Sequence, residues 1–172
     1  RMQPMSLWES RESSGEVSLQ QLFDDPNYDI DGKTSHLSIE QLIFAAARGG
    51  WPATLLARSP RAQLLIAKNY VRSVCDEDVV RIDGRQRDSK TAEWVLKAYA
   101  RNISTLATKK TLLADVVSSG QVSITSETLT DYERALERLF VIDNIEAWSP
   151  AIRSKTAIRS SVKRGFCDPS LA

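Results

Sequence analysis

Apolar and polar residues follow a helical period over much of the chain after residue 36. At the start of this region, Ser38 and Gln41 have the S-x-x-Q spacing of a capping box, which satisfies free N–H groups at a helix start. Gly49 then offers a left-handed helix end, and Pro52 is expected to block resumption of the helix. The pattern therefore predicts a helix between Ser38 and Gly49.

The same periodicity predicts four further helices. One begins at Pro60 with Ser59 as its cap and has a short continuation in "DEDVVRID", closed by Gly84. The others cover about 88–102, the stretch "TKKTLLADVVSSG" and about 126–140. The last of these is expected to turn five side chains inward: Leu129, Tyr132, Leu136, Leu139 and Phe140.

After residue 140 the period changes, and "FVIDNIEAW" and "KTAIRSSVKRGFCD" predict two strands joined by the turn-prone "SPAIRS". Three helices followed by a β-hairpin is the arrangement of a winged helix. The predicted fold class is therefore mainly α with a small β-hairpin, in which a helical region precedes a winged-helix-like three-helix core plus wing. The predicted divisions are an irregular segment (1–36), a helical linker or lid (37–87), the winged-helix-like domain (88–168) and the start of a further module (169–172).

Composition narrows the function classes. The chain has 172 residues and a formal charge of +1, so only a local basic patch could support nucleic-acid binding. No apolar run approaches the roughly 20 residues of a membrane span. The two cysteines, Cys75 and Cys167, lie far apart, which favours reduced thiols in a cytoplasmic protein.

One stretch imitates a nucleotide-binding motif. "GRQRDSKT", from Gly84 to Thr91, resembles a phosphate-binding loop, but Ser89 replaces the glycine that lets backbone N–H groups approach phosphates. We interpret it as an exposed polar loop with Asp88 or Ser89 as the next helix cap, and Lys90 as a solvated residue. The only histidine, His36, is expected to be exposed. We therefore predict no catalytic, cofactor or metal site in this chain.

A basic cluster in the predicted hairpin is the candidate nucleic-acid contact. Against it, the predicted helix 126–140 carries four acids and two bases, and an acidic helix is repelled by phosphates. Because the cluster is small, we favour its interpretation as a solvated hairpin face or as a surface for acidic residues elsewhere in a larger protein. Its residues are Arg153, Lys155, Arg159, Lys163 and Arg164.

Several segments together resemble a known family. "RMQPMSLWESRESSGEVSLQQLF", "RGGWPA", "LKAYARNISTLAT", "DYERALERLFVIDNIEAWSPAIRSK" and "KRGFCDPSLA" look like successive landmarks of bacterial AAA-type ATP-binding proteins with a C-terminal domain of unknown function. The resemblance implies a P-loop ATPase core upstream, using ATP and Mg, and a module resembling restriction endonucleases downstream. This chain would be the middle portion, without a complete active site.

Two functions follow as expectations. The first is a non-catalytic interaction or regulatory module, whose partners are the ATPase core and the nuclease-like module of the parent chain or another protein. The alternative is a nucleic-acid-binding winged helix that uses the basic hairpin. Apolar residues near both ends are expected to pack against missing parts of the parent, or otherwise to favour a homodimer. These residues are Met2, Met5, Leu7, Trp8, Phe166 and Leu171.

Overall fold

The computed structural model describes residues 3–120, 122–147 and 161–172, and these residues are mainly helical, as the sequence predicts. The chain divides into two compact units, Arg1–Ile66 and Ala67–Ala172. The division falls inside a helix. None of the helices in the described ranges has both the length and the apolar content needed to cross a bilayer.

The first unit holds short helices joined by turns. Its elements are α1 (Leu19–Asp24), α2 (Ile39–Arg48), α3 (Pro52–Leu56) and the beginning of α4 (Pro60–Ser73).

The predicted start of α2 is confirmed in detail. Ser38 accepts a hydrogen bond from the Gln41 backbone N–H at 3.2 Å, and the Gln41 side chain accepts from the Ser38 N–H at 2.8 Å. Gly49 ends the helix with a φ of 74°, which glycine adopts without strain. Pro52 does not stop helix formation as expected. It takes the first position of α3, where its missing N–H costs no hydrogen bond.

Two contacts inside the first unit tie its N-terminal segment to the end of α2. The Met5 N–H donates to the Gly50 carbonyl at 2.7 Å, and a Cβ added to Gly50 would lie only 2.2 Å from the Met5 oxygen. Glycine is therefore required at position 50, because a side chain there would overlap the Met5 backbone. The second contact is an ion pair between the buried Arg48 guanidinium and Glu12.

In the second unit, α4 passes into a π-helical turn and a short helix before the three main helices. The elements are the π turn (Val74–Asp78), α5 (Val79–Arg81), α6 (Ser89–Arg101), α7 (Lys109–Gly120), α8 (Ser126–Arg138) and a 3₁₀ turn (Pro169–Leu171). The short helical continuation that the sequence predicts after α4 is therefore confirmed.

Apolar faces of α6, α7 and α8 form the core of the second unit. Val95, Leu112, Val116, Leu129 and Leu136 are among its fully buried side chains. Burying each large aliphatic side chain contributes about 1.5–3 kcal/mol.

The expectation that Phe140 faces inward is wrong, because its side chain is 51% exposed. Helix α8 ends at Arg138, and Phe140 adopts a φ of 58° as the chain turns away. This change of backbone direction takes Phe140 off the inward face of the helix.

The two strands expected after residue 140 appear, in the residues described, as isolated antiparallel bridges. They join Ile142 to Phe166 and Ile145 to Lys163. Between them the Asp143 N–H donates to the Gly165 carbonyl at 2.9 Å. The predicted connecting turn and the start of the second strand lie outside the described residues.

The segment 163–165 has a second backbone partner on its other side. The Ser104 N–H donates to the Arg164 carbonyl at 2.8 Å, and the Arg164 N–H donates to the Thr105 carbonyl at 2.9 Å. Segment 163–165 therefore lies between the α6–α7 connection and the residues that follow α8.

The end of the chain forms a single 3₁₀ turn, Pro169–Leu171. Asp168 caps it by accepting the Ser170 N–H at 2.9 Å. The Leu171 side chain is buried, and the Phe166 ring packs 6.1 Å from the Tyr99 ring. Contrary to the expectation for these two apolar residues, both pack within the second unit.

Candidate functional site

Two of the five basic residues singled out in the sequence lie in the part of the chain that the structure describes, and their positions differ. Arg153, Lys155 and Arg159 lie outside the described residues. Lys163 is exposed, and its backbone exchanges hydrogen bonds with Ile145. Of the two members of the set that the structure describes, Lys163 is therefore the one on the surface.

Arg164 points into the second unit, with only 8% of the residue exposed. Its Nη1 donates to the Tyr99 hydroxyl at 3.0 Å and to Glu133 Oε1 at 3.4 Å. Its Nε donates to the Ala107 carbonyl at 3.0 Å. The guanidinium is thus committed to internal partners rather than presented to solvent.

Glu133 on α8 is the centre of this buried network. It accepts a hydrogen bond from the Tyr99 hydroxyl at 2.7 Å and lies 3.3 Å from Lys109 Nζ. Burial, followed by the nearby Glu133 carboxylate, raises the pKa of Tyr99 far above its usual range. Tyr99 therefore remains a hydrogen-bond donor at neutral pH, and the Glu133 charge is satisfied internally.

A second network neutralises Asp131, which precedes Glu133 by two residues on α8. Arg87, whose side chain is 3% exposed, donates Nε to Asp131 at 2.8 Å and a fork of two N–H groups to Asp83. These hydrogen bonds hold the pKa of Asp83 well below its usual range and lower that of Asp131. Arg85 adds a further ion pair to Asp131. Two of the acids counted on α8 are thus paired with cations.

The stretch that imitates a phosphate-binding loop forms a turn between helices. Asp88 caps α6 by accepting the Thr91 N–H at 2.7 Å, which confirms the predicted cap. The residues before the loop, Val79–Arg81, are helical, whereas a true phosphate-binding loop follows a strand. Arg87 departs from the expected exposed loop, because it is buried.

The described residues contain no group of three or more His, Cys, Asp or Glu side chains arranged to hold a metal ion. His36 is exposed, and neither cysteine forms a disulfide within the described residues. Burial, with the charges of Glu93 and Asp76, raises the pKa of Cys75 to about 11. A thiol with this pKa is protonated at neutral pH and is a poor nucleophile.

The first unit leaves much of its apolar side-chain surface uncovered. On α2, Ile39, Leu42 and Ile43 are 73%, 48% and 64% exposed, and their spacing places them on one face. Ala45 and Arg48, on another side of the same helix, are buried. An amphipathic helix normally turns its apolar face toward a core, and α2 does the reverse.

Other helices of the first unit also expose apolar side chains: Leu19, Leu22 and Phe23 of α1, and Leu55 and Leu56 of α3. Exposed apolar side chains that lie together on one face, as on α2, are typical of interaction sites. The sequence signals for α2 were its capping residues, which do not show which of its side chains face solvent.

A known family model matches most of the chain. Residues 39–172 match the model of a domain of unknown function, DUF8612. The chain belongs to the DUF8612 family. Neither the curated proteins nor the solved structures contain a match. The DUF8612 region begins at the first residue of α2 and includes both buried networks and the outward-facing residues of α2.

Proposed function

We propose that this DUF8612 chain is a non-catalytic interaction or regulatory module of a bacterial AAA-type ATP-binding protein, lying after the ATPase core. The resemblance of its segments to landmarks of such proteins supports the parent. The outward apolar face of α2 carries the proposal of docking. In this proposal ATP and Mg bind to the parent's ATPase core, and the partners are that core, the nuclease-like module or a further protein.

The size of the apolar face favours a partner in the same chain. Burying the fraction that is still exposed on Ile39, Leu42 and Ile43 would contribute about 3–6 kcal/mol, because full burial of one such side chain contributes about 1.5–3 kcal/mol and each is already partly covered. Association of separate proteins costs about 4–15 kcal/mol in lost freedom, so these three residues alone would not support a stable complex. A partner tethered in the same chain avoids much of that cost.

The test uses the parent protein, in which the ATPase core and this chain are joined, and measures amide hydrogen exchange of residues 39–48 there and in the isolated chain. We expect slower exchange in the parent, and replacing Ile43 by Gln should weaken docking about tenfold, which corresponds to about 1.4 kcal/mol. Glu40→Gln on the same helix is the matched control and should leave docking unchanged. Equal exchange in the parent and in the isolated chain, or equal docking of Ile43→Gln and the unchanged parent, would contradict the proposal.

Nucleotide binding gives an independent test. If ATP binds only to the ATPase core, titration of this chain with Mg-ATP should give no saturable heat. Micromolar binding that disappears in Lys90→Ala would show instead that the loop from Gly84 to Thr91 holds phosphate.

A nucleic-acid-binding winged helix is the second candidate. Its support is the order of elements in the second unit, where the helices α6, α7 and α8 are followed by two segments with antiparallel pairing. Segment 163–165 also forms backbone hydrogen bonds with Ser104 and Thr105 in the α6–α7 connection. Internal pairing of Asp131 and Glu133 also reduces the repulsion that α8 would exert on phosphates.

Fluorescence anisotropy with duplexes over a salt series separates the two candidates. We expect non-specific binding with Kd on the order of 10⁻⁴ M or weaker at physiological salt. Sub-micromolar binding that is lost when Arg159 and Lys163 are changed to Glu would favour the winged-helix candidate.

A further inference from the structure

An open cavity of about 240 Å³ lies in the second unit between two helical segments. Lys68 and Arg72 line it from α4, and Ser89 and Glu93 line it from the first turns of α6. The π-helical turn contributes Cys75 and Asp76. Such turns occur frequently at functional sites, because the extra residue redirects the side chains around it.

The cavity carries both signs of charge. On the acidic side, Asp76 accepts a hydrogen bond from the Ser89 hydroxyl, and Glu93 lies 2.7 Å from Lys97 Nζ. On the cationic side, Lys68 and Arg72 form no ion pair with any residue in the described ranges. The cations therefore have the larger unused capacity to hold a ligand, and they would hold its negative group.

Negative potential also reaches the buried part of the cavity lining. Burial raises the pKa of the Cys75 thiol, and the charges of Glu93 and Asp76 raise it further. The protonated thiol and Val71 offer weakly polar and apolar surface between the two charged sides.

We propose that this cavity binds a small zwitterion with one carboxylate and one ammonium group, of the size of a free α-amino acid. Arg72 and Lys68 hold the carboxylate, for which the guanidinium fork is well suited. The ammonium group lies toward Glu93. The apolar part of the ligand contacts Val71 and Cys75.

Size and charge separate this ligand class from others. Pockets for drug-sized molecules have volumes of roughly 300–1,000 Å³, so this cavity admits only a smaller molecule. A phosphate dianion would be repelled by Asp76 and Glu93, and a simple cation by Lys68 and Arg72. A molecule that carries both charges satisfies both sides.

The experiment is a titration of the isotope-labelled full chain, followed by amide correlation spectra. The probes are valine and methionine, and separately acetate, methylammonium and inorganic phosphate. We expect the amino acids to give saturable shifts at residues 68–76 and 89–93, with Kd on the order of 1 mM. Acetate and methylammonium, each carrying one charge of the pair, should bind at least about tenfold more weakly.

Variants assign the binding to the cavity. Arg72→Gln and Glu93→Gln should each weaken amino-acid binding about tenfold, and Arg81→Gln, an exposed arginine outside the cavity, should leave it unchanged. Arg72 and Glu93 are both exposed, so thermal melting should show intact folding in either variant. Absence of saturable shifts, phosphate or acetate binding as tightly as valine, or binding insensitive to both variants would each overturn the proposal.

Discussion

Replacement of Arg164 by methionine tests whether this arginine belongs to the interior or to a binding surface. Methionine preserves much of the apolar stem and removes the guanidinium. The change deletes the hydrogen bonds to Tyr99 and to the Ala107 carbonyl, together with the ion pair to Glu133. Lys163→Met is the matched control, because Lys163 is the neighbouring base and is exposed.

The expected loss of stability follows from what remains around Glu133. Removing one partner of a buried ion pair costs about 3–5 kcal/mol, because the other charge is left buried. Glu133 keeps Lys109 at 3.3 Å and the Tyr99 hydroxyl at 2.7 Å, so the lower end of that range applies. A loss of about 3 kcal/mol corresponds to a fall in Tm of about 6–12 °C for a domain of 150–250 residues.

Urea unfolding followed by far-ultraviolet circular dichroism measures the free energy of unfolding of both variants. We expect a large loss for Arg164→Met and a change within about 0.5 kcal/mol for Lys163→Met, as for most exposed positions. Equal stability of the two variants would show that the buried network does not hold the second unit together. A large loss of duplex binding in Arg164→Met without loss of stability would return this residue to the basic surface.

Three further outcomes are expected. Arg87 lowers the pKa of Asp83, so the stability that this pair contributes is present at neutral pH and is lost as the pH falls below about 4. Asp83→Asn should therefore reduce the fall of the urea unfolding midpoint at acid pH. Gly50→Ala should lower the free energy of unfolding, followed by thermal melting, by about 1–3 kcal/mol, because its Cβ would overlap the Met5 backbone. In the control Gly32→Ala the new Cβ meets only backbone strain, so a smaller loss of stability in Gly50→Ala than in this control would contradict the close contact with Met5. Native Cys75 should react with iodoacetamide at least about tenfold more slowly than Cys75 in urea at pH 8, as followed by peptide mass spectrometry, and equal rates would show that the thiol is not buried.

Local sequence signals predicted the helix starts well, because their chemistry lies within four residues. The Ser38–Gln41 capping box and the Asp88 cap each join residues that are close together in the chain. The mainly helical fold class followed from the helical spacing of apolar residues alone. Helix ends were harder to place, as Phe140 shows, because the direction in which the chain leaves a helix depends on distant packing.

The direction of charged and apolar side chains could not be predicted from local pattern. Arg164 lies 65 residues from Tyr99 in the sequence, and counting it with neighbouring bases suggested a surface cluster. The acids of α8 were likewise counted without their partners, although Asp131 and Glu133 are paired with Arg87 and Arg164. On α2 the capping residues located the helix but could not show that Ile39, Leu42 and Ile43 face solvent.

The position of segment 163–165 between two distant parts of the chain has a consequence for the order of folding. Helices α6, α7 and α8 form from local contacts, whereas the backbone bonds to Ser104 and Thr105 close a loop of about sixty residues, a slow and entropically costly step. During synthesis from the N-terminus, these helices therefore leave the ribosome before the arginine that satisfies Glu133. The nascent second unit passes through a stage with an incompletely paired acid at its centre, and that stage ends only when Arg164 emerges.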